Sequence, residues 1–90
     1  MSEERKKTFS LLRQHLEAQN CVLANANDCL NGSELWFNKV IFQAPQLSMS
    51  TIIFLIHFCE QKQVFFNISG HYLPTRATEA KEGIFITFIL

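Results

Sequence analysis

From Val40 to Cys59 the chain runs twenty residues without an Asp, Glu, Lys or Arg, and residues 83–90, Gly-Ile-Phe-Ile-Thr-Phe-Ile-Leu, are equally free of charge. Elsewhere the apolar positions keep clear company with polar ones. Phe9, Leu12 and Leu16 fall at i, i+3 and i+7 with Leu11 beside them, while Arg5, Lys6, Arg13, Gln14 and Glu17 fill the other side. That spacing predicts an amphipathic helix reaching about Gln19-Asn20. Ser2 supplies a hydroxyl cap, and Glu3 and Glu4 place acids in the positive first turn.

Beyond the helix, Cys21–Ala24 reads as a short strand, and Asn25–Asp28 and Asn31-Gly-Ser33 are dense turn signals. Asn31-Gly32 suits the two-residue turn of a hairpin joining residues near 22–30 to those near 33–43, since both residues tolerate positive φ. It also suits the stop of a helical turn over Asn27–Leu30. The hairpin is preferred, leaving residues 21–33 as strand or helical turn. Glu34–Gln43 is aromatic and β-branched, and Pro45 should end that strand by Gln43 or force a bulge.

Leu47–Cys59 reads as a long strand, with Ile52, Phe54, Ile56 and Phe58 on one face and Ile53, Leu55, His57 and Cys59 on the other. Glu60-Gln-Lys62 then forms a turn, Gln63–Ser69 a returning strand that Gly70 ends or bends, residues 73–83 an exposed connection, and Ile84–Leu90 the last strand. The expected fold class is α+β: one N-terminal amphipathic helix packed on an antiparallel meander of four to five strands. The expected domain count is one, residues 1–90.

An antiparallel sheet with one wet face alternates apolar and polar. Here both faces of the long strand are apolar, and Phe85 and Ile89 keep the last strand apolar on its second face. The helix can cover one face through Phe9, Leu11, Leu12 and Leu16. That leaves Ile53, Leu55, His57, Phe85 and Ile89 as an expected interaction surface, because soluble monomers rarely expose large apolar patches. The pattern therefore implies a homodimer, through the apolar sheet or through the C-terminal strand as an open edge, or else a protein partner not identifiable from the chain.

Composition sharpens this reading. Hydrophobic residues make up 48% and charged residues 18%, below the typical charged share of about 25%. Nine Phe against one Trp and one Tyr favour packing over a Tyr- and Arg-rich recognition surface. Eight basic and eight acidic residues cancel, which disfavours nucleic acid and anionic lipid as partners. Arg5-Lys6-Lys7 and Arg13 share the helix with Glu3, Glu4 and Glu17, so nucleic-acid binding through that face ranks third among the functions considered.

The charged N-terminus has no apolar stretch behind it and does not read as a signal peptide. The longest apolar run, Ile52–Cys59, falls well short of the roughly 20 residues of a membrane span. An odd count of three cysteines without framework spacing suggests free thiols and a cytoplasmic setting.

Candidate chemistry is sparse. His57 and Cys59 would share a strand face, with Cys21, Cys29, His15 and His71 elsewhere, but no Cys-x₂₋₄-Cys pair supports zinc. Nothing activates a cysteine nucleophile, no carboxylates pair in an apolar setting, and three glycines cannot build a phosphate loop. The expectation is a non-enzymatic interaction or regulatory module with no catalytic residues, no metal and no cofactor. The alternative is a small apolar-ligand binder whose pocket is lined by Trp36, Phe37, Phe54, Phe58, Phe65 and Phe66.

Overall fold

The computed structural model describes residues 3–26, 40–73 and 82–89. Helix α1 spans Glu3–Glu17, with Phe9, Leu12 and Leu16 buried on one stripe. Leu11 lies outside that stripe and faces outward, contrary to the expectation that it helps cover the sheet. Two ion pairs at helical spacing, Lys6–Glu3 (3.6 Å) and Arg13–Glu17 (3.1 Å), each add about 0.2–0.5 kcal/mol on the exposed side. The helix closes at Asn20, whose φ of 68° turns the chain, and the Cys21 N–H donates back to the Leu16 carbonyl at 3.1 Å.

Strand β1, Val22–Leu23, pairs antiparallel with β2, Val40–Ala44, through Val22 opposite Gln43 and Leu23 opposite Phe42. The Asn31-Gly32 turn expected between them lies outside the described residues. β2 runs one residue past Gln43 and stops immediately before Pro45, which has no N–H to continue the ladder.

Met49–Lys62 is a helix, α2, where a strand over Leu47–Cys59 and a turn at 60–62 were expected. Ser48 caps it in extended conformation, its Oγ accepting from the Thr51 N–H at 3.2 Å. Thr51, Leu55 and Cys59, at i, i+4 and i+8, form its buried stripe. Gln63, at φ 58°, ends it in the left-handed conformation. The β-branched and aromatic content suited a strand, but fourteen residues is long for one, and tertiary context overrides these modest propensities. A partly buried network ties α2 to the turn after α1: the Thr51 hydroxyl donates to Gln19 Oε1, and Ser48 Oγ lies 2.9 Å from Thr51 Oγ1.

Strand β3, Phe65–Ile68, turns through Ser69-Gly70 into β4, His71–Tyr72. Both turn residues have positive φ (48° and 87°), the hand that two-residue hairpins prefer, and the Gly70 N–H donates to Asn67 Oδ1 at 3.0 Å. The expected role of Gly70 as the bend is met. The last strand, β5, spans Gly83–Phe88.

The five strands form one sheet in the order β1-β2-β5-β3-β4. β2 and β3 both run parallel to β5, and only the two outer pairs are antiparallel. The sheet is therefore mixed, not an antiparallel meander, and the fold has two long helices among the described residues. Parallel neighbours need a crossover connection, and α2 is that crossover between β2 and β3, with β5 inserted between them. This is the physical reason the charge-free stretch cannot be a strand throughout.

Register assigns the faces. Leu23, Val40, Phe42, Ala44, Phe66, Ile84 and Ile86 point to one side, where they join Leu12, Leu16, Leu55 and Cys59 in the core. Val22, Ile41, Phe65, Asn67, Tyr72 and Phe85 take the other side. Gly83 lies on that far side beneath Phe65: a Cβ there would run into the Phe65 ring, which would have to move to admit it.

Candidate functional site

The five residues expected to share one interaction surface are divided among three places. Leu55 is 0% exposed in the core, while Ile53, two residues earlier, is 48% exposed on the outer side of α2. His57 is exposed on the same helix. Phe85 lies half-buried on the far face of the sheet, and Ile89 sits half-exposed just past the end of β5. A helix turns about 100° per residue, so positions two apart cannot share a face as they do on a strand. For the same reason His57 and Cys59 point in roughly opposite directions.

Strand β5 is not an edge. Its backbone pairs with β2 on one side and β3 on the other, and the Ile89 N–H continues the ladder to the Ala44 carbonyl at 2.8 Å. The C-terminal strand therefore offers no free ladder to a second chain. Among the described residues the outer strands are β1 and β4, two residues each, short enough to discourage strand addition.

The candidate pocket residues also separate. Phe66 is in the core, and Phe65 packs edge-on against Phe85 (5.2 Å between ring centroids) and Tyr72 (5.5 Å) on the far face. Trp36 and Phe37 lie outside the described residues. Phe54 and Phe58 alone stand together, 6.0 Å apart on the flank of α2 that meets α1, with His15 of α1 at 4.2 Å from the Phe54 ring.

Around that pair the two helices leave an open groove of about 370 Å³. Leu11, Leu12, Phe54 and Phe58 supply its apolar surface, and Thr8, His15, Gln61 and Lys62 its polar rim. Sequence reasoning missed Leu11, His15, Gln61 and Lys62 as neighbours, because they meet only if residues 49–62 are helical. One signal was present: Leu11 falls off the 9-12-16 stripe and so had no place on the sheet.

The opposite flank of α2 carries a second apolar stripe. Met49, Ile52, Ile53 and Ile56 recur at i, i+3, i+4 and i+7. Met49 is 69% exposed and Ile52 and Ile56 are half-buried. A helix with apolar residues on its core side and on its outer side is normally covered on both.

The cysteines offer little chemistry. Cys21 and Cys59 are buried free thiols, and burial pushes both pKa values up, that of Cys59 to about 12. Both stay protonated at neutral pH, the opposite of an activated nucleophile. Among the described residues no three His, Cys, Asp or Glu side chains come together as a metal site. No helix among them is long and apolar enough to cross a membrane. Comparison with protein-family models, curated proteins and solved structures finds no match.

Proposed function

We propose that this chain is a non-enzymatic interaction module that associates with a second copy of itself through the outer stripe of α2. The observation that carries the reading is the second apolar stripe, Met49, Ile52, Ile53 and Ile56, on a helix already packed against the sheet through Thr51, Leu55 and Cys59. Burying such side chains is worth roughly 25 cal/mol per Å² of apolar surface, and a two-fold axis lets one stripe cover its equivalent. A formal net charge of zero leaves little repulsion between copies. His57 borders the stripe, and Glu60, one turn beyond Ile56, ends it with a charge.

Light scattering after size exclusion, at tens of micromolar, tests it. A dimer is expected for the wild type and a monomer of unchanged circular dichroism for Ile53→Glu, because Ile53 lies outside the core. A wild-type chain that stays monomeric, or an Ile53→Glu variant that still dimerises, rejects this surface.

A further inference from the structure

The groove between α1 and α2 has a chemistry the self-association reading does not use. Its volume, about 370 Å³, is that of a small-molecule cleft. Its apolar surface is two leucines and two phenylalanines. Its rim holds the Lys62 ammonium, the Gln61 amide and the His15 imidazole, together with the Thr8 hydroxyl, which donates to the Glu4 carbonyl at 2.9 Å, and no carboxylate lines it.

Glu4, one turn before Thr8 on α1, does not line the groove. Glu3 is paired to Lys6 and Glu17 to Arg13, and Lys62 has no ion-pair partner among the described residues. The side chain of Lys62 is long and flexible, able to lay its methylenes along apolar surface while its charge stays at the mouth.

We propose that this groove binds a small amphipathic anion, an alkyl chain of medium length bearing a carboxylate, free in solution. The chain lies on Leu11, Leu12, Phe54 and Phe58, and the carboxylate sits at Lys62, beside Gln61 at the C-terminal end of α2. The site is independent of the self-association reading: Phe54 and Phe58 occupy the α1 flank of α2, whereas Met49, Ile52, Ile53 and Ile56 occupy the other.

Three eight-carbon probes test the charge and the chain separately: octanoate, octanol and octylammonium, each titrated into the ¹⁵N-labelled full chain. Octanoate is expected to saturate with a Kd on the order of a millimolar, shifting amides of residues 8–15 and 54–62. Octanol should bind about threefold more weakly and octylammonium more weakly still, as for a partly exposed ion pair.

Lys62→Gln should remove the preference for octanoate while leaving octanol binding unchanged. Leu11→Gln, at a side chain 62% exposed, should weaken all three probes without loss of fold. Ile53→Glu should change none of them, which separates this site from the dimer stripe. Equal binding of octanoate and octylammonium, shifts centred on the sheet's far face, or no saturable shift overturns the proposal.

Discussion

Helix α2 and strand β5 are both nearly uncharged and apolar on every side, yet one lies across the sheet and the other runs through its middle. β5 satisfies its backbone through neighbours on both edges; the helical layer covers one of its faces, and on the other Phe85 packs sideways against Phe65, which in turn meets Tyr72. α2 satisfies its backbone internally and must find cover for its circumference by packing. The sheet takes one side through Leu55 and Cys59, and α1 takes a second near Phe54. The flank bearing Met49 and Ile53 is left exposed. The same apolar excess is thus absorbed inside the fold by a central strand and left partly at the surface by a helix.

The contrast can be broken most sharply along α2 itself. Leu55→Ala should cost roughly 2–5 kcal/mol in urea denaturation, whereas Ile53→Ala, compared with the wild type at a dilution where both are monomeric, should stay within about 0.5 kcal/mol. Equal costs would mean that the two share a face, as on a strand.

Next comes β5 at Gly83. Gly83→Ala drives a Cβ into the Phe65 ring and should destabilise by about 1–3 kcal/mol, with Phe65→Leu in the same chain recovering part of that loss. Additive effects in the double mutant would show that the contact does not decide the cost.

The core side of α2 has a pH signature. The Cys59 thiol keeps its proton in the fold to about pH 12, whereas an exposed thiol ionises near 9.0. Between those values the unfolded chain binds fewer protons, so stability falls as pH rises, by up to about 1.4 kcal/mol per pH unit. Denaturation at pH 8.5 and 10.5 should show that slope reduced in Cys59→Ala; identical slopes would remove Cys59 as its source. The smallest effect is at the cap, where Ser48→Ala should cost about 1 kcal/mol and loosen the Thr51–Gln19 contact between α2 and the turn after α1. No change in thermal melting would argue against that cap.

Much of the local structure was legible along the chain. The 9-12-16 stripe marks α1, Pro45 marks the end of β2, and Gly70 marks the hairpin between β3 and β4. These features depend on short-range chemistry: side-chain spacing, a missing N–H and a tolerance for positive φ. The error over residues 49–62 came from reading β-branched and aromatic content as strand. Ser48 followed by Thr51 and a run of helical length were the contrary signals. The failed alternation in β5 also had a reading that an antiparallel assumption concealed, since strands apolar on both faces belong to parallel sheets.

The candidate sites were less legible because they are made of residues from different elements. Phe54 and Phe58 were singled out for the right chemical reason, their large apolar rings, but their partners Leu11, His15 and Lys62 follow only from the packing of α1 beside α2. The sequence alone determined that the charge-free stretch from Val40 to Cys59 holds more apolar surface than one amphipathic helix could cover. Tertiary structure decided where that surface goes. β2 and β3 run parallel on either side of β5, and the crossover that their common direction requires is made by α2. A helix buries Leu55 and exposes Ile53, because its side chains radiate around an axis instead of alternating across a plane.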